Sequence, residues 1–540
     1  MIMTRGIPLF LLLALLSCAR KARGPISVEY PTPLPIEEVI KPAPRERSPR
    51  IRIGIDEGET FYFESPGRFY VYRDGTLLYS GDPGKYRVSL RKPRAGKLET
   101  FEIVGESRKL GEARVIAESF ASQGFRVKIV RIGRIFKLAG GDFDNRKYLV
   151  LRKPVGNHGR RVDLLKRPPG GKVILEDIGG KKLAEGDLFI RIIPAEGSPL
   201  YFVLDGIKVG EGFSWEKRVR RSYRGILEFR VSNRGKLLLI NELPLEEYLK
   251  GVLPAEMGPA FPDEALKAQA VVARSEALSM WGLKLNLIAE PYDFTDDVFS
   301  QVYSGITHRT EKTDRAVNET KGEVLLYRGE IVNAVYHSCC GGHTENSEEV
   351  WGTYYPYLRG VPDNESELSP DLRDEDNLRR WLKDARDSYC NLEGKEGPPG
   401  LSFGKKNFRW TVTLTSGEIR KYVKKKRGVD PGKVLDLIPL HRGVSGRITS
   451  LKVVGSKRDV VINGELNVRG ALSRTYLKSS LFVIEKFRGS DGNVFVLRGG
   501  GFGHGVGMCQ MGAGMMAYRG KDYREILRHY FTDVDIAKIY

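Results

Sequence analysis

Beyond its N-terminus, the sequence of 540 residues lacks the long apolar segments of a membrane-spanning protein. No segment after residue 18 offers about twenty uncharged apolar residues, which excludes a further transmembrane helix. Glutamine is also rare, and the chain has only Gln123, Gln269, Gln301 and Gln510. A chain poor in glutamine and rich in Lys, Arg and Glu has a composition typical of proteins from hot environments.

The glycine-rich run at residues 499–514 lacks the Gly-Lys-Ser/Thr ending of a phosphate-binding loop. Eight glycines in sixteen residues make the run too flexible for a helix and too rich in glycine for a plain strand. We therefore predict a loop that borders a ligand groove, with His504 as a binding residue and Gln510 as a polar contact. In the alternative, these glycines pack a helix against a sheet.

The N-terminus has the layout of a secretion signal. Arg5 precedes the apolar residues 7–16, and Ser17-Cys18 follows them. The end of this segment, Leu-Leu-Ser-Cys, is similar to a lipobox, which predicts cleavage before Cys18 and attachment of lipid to its thiol. An ordinary cleaved signal or an uncleaved anchor is the alternative. Residues 19–50 contain seven prolines mixed with charged residues, which predicts an extended linker.

Glu256 is a lone acid between apolar residues, in the segment Leu-Pro-Ala-Glu-Met-Gly-Pro. The prolines at 254, 259 and 262 predict a stiff loop, because proline restricts its own φ and the residue before it. Burial by the apolar flanks would raise the pKa of the carboxyl toward neutrality, as a general acid requires. The alternative is an ordinary surface acid at a helix end.

Helices are predicted on both sides of Glu256. Residues 245–253 have acids near the start and apolar spacing, which predicts a short helix that ends at Pro254. Residues 263–281 have small apolar residues at helical spacing, which predicts a second helix. Lys267 and Arg274 share one stripe of this helix, where two cations could hold an anionic substrate. A solvated basic face is the alternative.

Two histidines and two cysteines have a spacing that suits a metal ion. His337, Cys340 and His343 lie within seven residues, and Cys390 follows them in the chain. Four soft ligands are the number and type that tetrahedral zinc prefers, so zinc is a candidate cofactor.

The same cysteines allow disulfides in an oxidising compartment. Four cysteines remain after Cys18, and they are Cys339, Cys340, Cys390 and Cys509. They permit three pairings, of which a direct bridge between the two adjacent cysteines is strained. The sequence leaves metal and disulfide open.

Several ordered motifs resemble the SpoIID/LytB family of bacterial cell-wall proteins, which comprises stage II sporulation protein D and amidase enhancers. The resemblance begins at residues 241–278, with the segments Glu-Glu-Tyr-Leu-Lys-Gly-Val, Ala-Glu-Met and Ala-Leu-Lys-Ala-Gln-Ala-Val-Val-Ala-Arg. It continues through residues 301–303, 337–346, 350–352, 408–410, 477–482 and 501–513. Together these motifs cover roughly residues 195 to 535, and their order is far more specific than any single glycine-rich run.

This resemblance implies a lytic transglycosylase that cleaves peptidoglycan glycan strands. Glu256 would protonate the oxygen between N-acetylmuramic acid and N-acetylglucosamine, and would then take the proton of the muramoyl C6 hydroxyl to close a 1,6-anhydro ring. One acid suffices in such a reaction, whereas ordinary glycosidases use two. The expected substrate-binding residues are Lys267, Gln269, Arg274, Gln301, Tyr303, His504 and Gln510. Zinc binding near the active site of some members supports His337, Cys340, His343 and Cys390 as ligands.

Other functions stay open at this point. The first is a non-catalytic amidase enhancer that binds the wall and stimulates a peptidoglycan amidase. The second is hydrolysis, either dependent on zinc or with a second carboxylate from Asp293, Asp296 or Asp297, which are otherwise turn residues. Tyr303 and Trp351 offer faces for sugar stacking if they are not core residues.

The charge of the chain points to an anionic partner. Lys and Arg number 88 against 68 Asp and Glu, which gives a net charge of +20. An exported protein rarely meets nucleic acid, so we expect no nucleic-acid partner. Cell-wall glycan stripped of its peptides carries a free lactyl carboxylate on every muramic acid, which a basic groove could bind. Solubility and a hot-environment composition would explain the same charge.

The predicted fold class is α+β, with a strand-rich region before a mixed α/β catalytic core. Residues 1–18 are the lipoprotein signal, 19–50 the linker, 51–195 an accessory region and 196–540 the core. Within the accessory region, alternating apolar residues and an Asp-Gly turn predict strands and a hairpin. Residues 100–143 have a strand, helix, strand, strand order that weakly resembles half of a sporulation-related repeat, a fold that binds peptide-free glycan. A purely structural element is the alternative.

Overall fold

The computed structural model describes residues 27–29, 48–138, 141–155, 159–210, 216–366, 368–384, 387–392, 396–490 and 492–540. The predicted signal segment, Cys18 and most of the predicted linker lie outside these residues, so the lipid anchor stays a prediction. The chain forms two compact units. The first comprises the described residues within 1–207, 222–244 and 280–296, and the second comprises those within 208–221, 245–279 and 297–540. The predicted boundary at residue 195 therefore falls inside the first unit.

The first unit is rich in strands, as predicted. Its elements, of which β16 and β17 run past the edge of the unit, are β1 (Ser27–Glu29), β2 (Arg50–Gly58), β3 (Thr60–Ser65), β4 (Phe69–Arg73), β5 (Thr76–Gly81), β6 (Gly84–Arg94), β7 (Lys97–Ser107), α1 (Leu110–Ser122), β8 (Val127–Ile132), β9 (Ile135–Leu138), β10 (Gly141–Asp144), β11 (Lys147–Arg152), β12 (Arg161–Arg167), β13 (Gly170–Asp177), β14 (Lys182–Asp187), β15 (Phe189–Pro194), β16 (Tyr201–Val209), β17 (Lys217–Arg224), β18 (Ile226–Val231), β19 (Leu237–Pro244) and β20 (Phe294–Thr295).

These strands form three larger sheets and one hairpin. The sheets have the orders β1-β8-β11-β7-β12, β14-β13-β6-β3-β16-β17 and β20-β2-β19-β18-β15-β4-β5, and β9 pairs with β10. Strand β1 lies within the segment predicted to be an irregular linker, and it pairs in parallel with β8. The alternation of apolar residues in β2 matches its burial, because successive side chains of a strand point to opposite faces.

The predicted hairpin between β4 and β5 is confirmed. Asp74 and Gly75 have φ values of 44° and 79°, and such left-handed pairs form the tight turn whose twist matches that of the strands. The predicted helix is confirmed as α1, and its buried residues are Ala113, Ala117 and Ala121. The predicted strand, helix, strand, strand unit is incomplete, because β9 leaves the sheet and β11 takes the place between β8 and β7.

The second unit mixes helices with short sheets. Its elements are α2 (Leu245–Glu256), α3 (Asp263–Met280), α4 (Glu311–Glu319), β21 (Glu323–Tyr327), β22 (Glu330–Ile331), β23 (Tyr336–His337), α5 (Ser347–Trp351), α6 (Glu375–Lys383), α7 (Lys405–Phe408), β24 (Arg409–Thr415), α8 (Ser416–Arg427), β25 (Val434–Arg442), β26 (Ile448–Gly455), β27 (Val460–Asn463), α9 (Glu465–Ala471), β28 (Phe482–Gly489), β29 (Gly492–Gly500), β30 (Met508–Cys509), α10 (Gln510–Tyr518), α11 (Tyr523–Tyr530) and β31 (Asp535–Lys538). The α+β fold class is confirmed.

Two of the small sheets share a hydrophobic core with α8 and α9. The sheets β24-β29-β28 and β25-β26-β27 contribute buried residues such as Leu497 and Ile462, and the helices contribute Ile419 and Val468. The sheet β22-β21-β31 and the parallel pair β23-β30 complete the unit. In the part of the chain that the structure describes, no helix has both the length and the apolar character needed to cross a bilayer.

Helix α3 is buried around most of its circumference, which a solvated basic face would not allow. Arg274 lies inside this packing with no exposed surface, and its Nε and Nη2 atoms donate to the two carboxylate oxygens of Glu246 on α2, both at 2.8 Å. Further bonds to the carbonyl oxygens of Glu323 and Val317 occupy the guanidinium. The pair therefore joins α2 to α3 and to the segment around α4.

Replacement of Arg274 by Met should lower the free energy of unfolding of the second unit by about 3 to 5 kcal/mol, because it leaves the carboxylate of Glu246 buried without its partner. The matched control is Arg315→Met, whose ion pair with Asp263 is half exposed and should contribute less than about 1 kcal/mol. Urea unfolding followed by tryptophan fluorescence measures both. Equal effects of the two substitutions would contradict the structural role of Arg274.

Candidate active site

Glu256 is the last residue of helix α2, whereas the sequence predicted that the helix ends at Pro254. Pro254 lies inside the last turn of the helix and has no N–H to donate, so the helix lacks the bond from this residue to the carbonyl oxygen four residues before it. The N–H of Met257 donates to the carbonyl oxygen of Leu253 at 2.8 Å, which closes the helix. The carboxyl group therefore projects from a helix end and does not lie in a free loop.

Protein atoms surround the Glu256 carboxyl, although the residue as a whole keeps some exposed surface. Its Oε1 atom accepts a hydrogen bond from the N–H of Val302 at 2.8 Å, and the Tyr336 hydroxyl and the Gln510 amide also hydrogen-bond it. Burial raises the pKa of Glu256 to about 7, the charge of Glu276 adds to the increase, and the hydrogen bonds oppose it in part. This residue matches the prediction of a carboxyl with a pKa near neutrality.

Three of the four glutamines meet at this site. The Nε2 atom of Gln510 lies 3.3 Å from Oε1 of Gln269 and 3.5 Å from the carbonyl oxygen of Glu256. The Nε2 atom of Gln301 donates to Oε2 of Glu276 at 2.8 Å and to the carbonyl oxygen of Ala273 at 3.0 Å. Neutral amides thus border the carboxyl, and they supply polar contacts without the cation that would stabilise its ionised form.

Lys267 and Arg274, the two cations of α3 that were predicted to bind an anion, both form ion pairs with acidic side chains of the protein. Lys267 pairs with Glu264 at 2.9 Å and with Glu319 at 2.8 Å. Arg274 is buried with Glu246, as described above. The prediction that this pair forms an anion site is therefore corrected, because helix packing and acidic partners use both side chains.

Tyr303 belongs to the core and not to a sugar-stacking surface. It is 1% exposed, and its ring lies 5.2 Å from that of Tyr248. A Cβ atom at Gly251 would stand 2.4 Å from the Tyr303 ring, so glycine is required where the helix and the ring meet. Trp351 differs, since it is 46% exposed and its ring lies 5.0 Å from that of His504.

The glycine-rich run divides into a strand end, a loop and a helix start. Strand β29 ends at Gly500 and α10 begins at Gln510, so the prediction of one continuous loop is corrected. Within the loop, the Nδ1 atom of His504 accepts a hydrogen bond from the N–H of Val506 at 3.1 Å. Burial, together with the nearby His337 and two arginines, lowers the pKa of His504 well below its usual value, so it stays neutral.

The predicted metal ligands are only partly brought together. Cys340 and Cys390 meet, with their sulfurs 3.4 Å apart, and the ring of His337 lies against the sulfur of Cys509. His343 turns away, and its Nδ1 atom lies 2.7 Å from the carbonyl oxygen of Thr344. The reason is local, because the two glycines before His343 have φ values of 79° and 112°, and they reverse the chain.

Among the described residues, the group whose donor atoms converge is Cys340, Asp363, Cys390 and Cys509. All four described cysteines are buried free thiols. Neither His337 nor His343, the predicted histidine ligands, belongs to this group. The structure therefore does not bring together the predicted set of His337, Cys340, His343 and Cys390, of which only the two cysteines belong to the group.

Asp293 and Asp297, two candidates for the second carboxylate of a hydrolase, have structural partners. Oδ2 of Asp293 accepts from the N–H of Arg52 at 2.9 Å, and Oδ1 lies 2.6 Å from Nη2 of Arg134, all within the first unit. Oδ1 of Asp297 accepts from the N–H of Phe299 at 3.0 Å, as in a turn.

Sequence reasoning missed Tyr336, Glu276 and Asp363. Glu276 lies seven residues after Gln269 on α3, a spacing that places both on one helix face, so a signal was present. Tyr336 precedes His337 in β23, which pairs in parallel with β30, and only this pairing brings it near the start of α10. Asp363 follows a proline and reads as a turn residue.

A cavity of about 510 Å³ is lined by Ser402, Lys406, Asn407, Lys478 and Phe502. The ammonium group of Lys478 donates to the backbone carbonyl oxygen of Lys406 at 2.6 Å, and both lysines line the cavity. The Nδ2 atom of buried Asn407 has no hydrogen-bond partner among the described residues. A donor and two cations suit an anionic polar ligand.

The raised pKa of Glu256 predicts a loss of stability as pH rises. The folded-state pKa of about 7 exceeds the ordinary value of 4.5, so the contribution is complete below pH 4.5 and is lost as pH rises through 7. Glu256→Gln should remove this loss, which amounts to up to about 3 kcal/mol. Unfolding free energies measured from pH 4 to pH 8 test it.

Glu247→Gln is the matched control, since Glu247 lies on the same helix. Burial would raise its pKa, but bonds from Lys250 and Arg309 outweigh burial and lower it. Its contribution is present above the ordinary pKa and is lost at low pH, so this control should weaken the protein near neutral pH. Identical pH profiles for wild type and Glu256→Gln would refute the buried carboxyl.

Two known families match parts of the chain. The family described as stage II sporulation protein matches residues 233–327, and a domain of unknown function (DUF8618) matches residues 345–507. The first match contains α2 and α3 with Glu256. The second contains two of the four converging thiol and carboxyl residues, Asp363 and Cys390, whereas Cys340 lies before its start and Cys509 lies beyond its end.

Several relatives are similar over more than half of the chain. An uncharacterized protein of Brachyspira hyodysenteriae is 33% identical over 317 residues, which are 58% of this chain and 72% of that protein. Stage II sporulation protein D of Bacillus amyloliquefaciens is 29% identical over 338 residues, 60% of this chain and 81% of the relative. The amidase enhancer of Bacillus subtilis is 29% identical over 306 residues, 54% of this chain and 40% of the relative. The chain therefore belongs to the SpoIID/LytB family.

Proposed function

We propose that this protein is a lytic transglycosylase that cleaves peptidoglycan glycan strands, with Glu256 as both acid and base. Family membership supports a cell-wall-related function, since relatives bear the names stage II sporulation protein D and amidase enhancer. The single observation that carries the finer proposal is the buried carboxyl at the end of α2, whose pKa of about 7 suits a group that must give up and regain a proton.

The reaction needs one carboxyl in two states. Protonated Glu256 donates its proton to the glycosidic oxygen as the bond from that oxygen to C1 of N-acetylmuramic acid breaks. The C1 centre becomes oxocarbenium-like, and the N-acetyl oxygen of the substrate stabilises it. The carboxylate then removes the proton of the C6 hydroxyl, whose oxygen bonds to C1. One glycosidic bond is exchanged for an intramolecular one, no water is consumed, and Glu256 regains its proton.

The neighbours of Glu256 suit this exchange. The Val302 N–H and the Tyr336 hydroxyl hydrogen-bond the carboxyl and hold it in one orientation, which lowers the entropy lost in reaching the reactive geometry. The buried surroundings favour the neutral acid, which the first step needs. The hydrogen bonds favour the ionised carboxylate, which the second step needs. Strong pairing with a cation would keep Glu256 ionised, and the cations of α3 are used elsewhere.

The basic cavity supports peptide-stripped glycan as the substrate. Its lysines 406 and 478 would attract the lactyl carboxylate of muramic acid, which is free only after an amidase has removed the peptide. A peptidoglycan amidase that acts beforehand is therefore the expected functional partner.

Glu256→Gln should reduce release of 1,6-anhydro-muramoyl fragments by about a hundredfold to ten-thousandfold, because glutamine cannot transfer the proton. Mass spectrometry of products from peptide-stripped glycan measures the change. Glu247→Gln, on the same helix but paired with Lys250 and Arg309, should keep the wild-type product pattern.

Intact glycan strands with the wild-type protein would refute the transglycosylase. Stimulation of an added peptidoglycan amidase under the same conditions would then establish the other function, the amidase enhancer that the name of one relative suggests. Reducing-end products without an anhydro ring would indicate hydrolysis.

Lys478→Gln should raise KM for peptide-stripped glycan by about tenfold at low salt, since a hydrogen bond to a charged group contributes about 1.5 to 3 kcal/mol. The turnover number should change little, because the lysine binds the substrate and does not transfer protons. The matched control, Lys424→Gln on α8, removes one positive charge from an exposed site and should leave KM unchanged. An equal KM for both variants would exclude the cavity as the carboxylate site.

A further inference from the structure

Three thiols and one carboxyl group from separate segments converge in the second unit. Their donor atoms, from Cys340, Asp363, Cys390 and Cys509, all lie within 4.8 Å of one another. Each of the four residues has no exposed surface. Cys340 follows β23, Asp363 follows α5, Cys390 follows α6, and Cys509 is the last residue of β30. Because these segments are distant in the chain, only the tertiary structure brings the four residues together.

The carboxyl of Asp363 is fixed at both oxygens. Oδ1 accepts a hydrogen bond from the Tyr530 hydroxyl at 2.6 Å, and Oδ2 accepts one from the N–H of Cys390 at 3.0 Å. Gly512, in the first turn of α10, allows this contact, because a Cβ atom there would stand 2.4 Å from Oδ1 and 2.1 Å from the Tyr530 oxygen. The carboxylate is thus held in place beside the three sulfurs.

Backbone N–H groups point at two of the sulfurs. The sulfur of Cys509 accepts from the N–H of Cys340 at 3.2 Å and from that of Gly512 at 3.3 Å. The sulfur of Cys340 accepts from the N–H of Gly342 at 3.3 Å. Such donors stabilise a thiolate more than a thiol, as the outer shell of a metal site does.

We propose that Cys340, Asp363, Cys390 and Cys509 form a closed tetrahedral site for a divalent metal ion of the zinc type. Three soft sulfurs and one oxygen suit zinc and disfavour magnesium or calcium, which prefer oxygen. With Zn–S bonds of about 2.3 Å, the sulfurs of a tetrahedral site lie about 3.8 Å apart. The sulfurs of Cys340 and Cys390 lie 3.4 Å apart, so a small adjustment admits the ion.

A metal explains the whole group, and a disulfide explains only part of it. A bridge between Cys340 and Cys390 would leave the carboxyl of Asp363 and the thiol of Cys509 buried beside an uncharged bond. A bound divalent cation would compensate the charge of the Asp363 carboxylate and of the Cys509 thiolate, which is otherwise expensive to bury. Binding releases the thiol protons to solvent and leaves all four protein ligands engaged, so the ion has a structural role.

The site would fix one wall of the active site. Cys509 ends β30 and Gln510 starts α10, where the Gln510 amide contacts Gln269 and the backbone of Glu256. The metal would therefore tie the start of α10 to the segments that carry Cys340, Asp363 and Cys390.

Metal analysis of the full chain, purified with reductant and without chelator, should find about one zinc per protein. The single substitutions Cys390→Ser, Cys509→Ser and Asp363→Ala should each lower the zinc content to less than about 0.2 zinc ions per protein. The matched control, His343→Gln, replaces the histidine that turns away and should retain the zinc. Loss of zinc in this control, or retention of zinc in the three variants, would overturn the ligand set.

Wild-type protein provides a second measurement if a variant fails to fold. Cobalt-loaded protein should show sulfur-to-cobalt charge-transfer absorption, and three thiols should become reactive only after chelation. Absence of both metal and cobalt absorption, with a mass two daltons lower than that of the reduced chain, would overturn the metal in favour of a disulfide. These readouts do not depend on glycan cleavage, so they stand or fall separately from the transglycosylase.

Discussion

The active-site proposal depends on one constraint, namely that protein atoms surround the carboxyl of Glu256 while no cation among the described residues forms an ion pair with it. Burial alone would favour the neutral acid, and any free arginine or lysine beside it would reverse the effect. Helix α3 carries both kinds of cation near this site, but Glu246 holds Arg274 while Glu264 and Glu319 hold Lys267. The ion pairs of the second unit therefore stabilise its packing and also preserve the chemistry of the acid.

Neutral hydrogen-bonding groups occupy the space that cations would otherwise take. The Gln510 amide and the Tyr336 hydroxyl act on the carboxyl with only a partial decrease in its pKa, and Oε1 of Gln269 accepts a hydrogen bond from the same Gln510 amide. The start of α10 provides one of these amides, and the thiol cluster lies one residue before it. The start of α10 would thus contact both a metal at the cluster and the acid at the end of α2. Loss of the metal is therefore expected to change the surroundings of Glu256.

Much of the fold could be predicted because local patterns act over a few residues. The hairpin of β4 and β5 follows from Asp74-Gly75, whose left-handed geometry few other pairs adopt. Predictions failed where distant segments compete for the same residue. The chain stays helical through Pro254 to Glu256, and β9 leaves the expected sheet for β10. The glycine-rich run predicts a loop, but its last part forms the start of α10, where Gly512 allows close packing against Tyr530.

By itself, the sequence determined the α+β class, the two helices that flank Glu256, and that residue as the acid of interest. Apolar periodicity and the chemistry of neighbouring residues are properties of a short stretch of chain, so they can be read without a fold. Only the tertiary structure decided which side chains share a space. It assigned Arg274 to an ion pair, turned His343 away from the cysteines, and gathered Asp363 with three thiols from distant segments. Burial and convergence depend on the packing of the whole unit, and for that reason the sequence alone could not specify them.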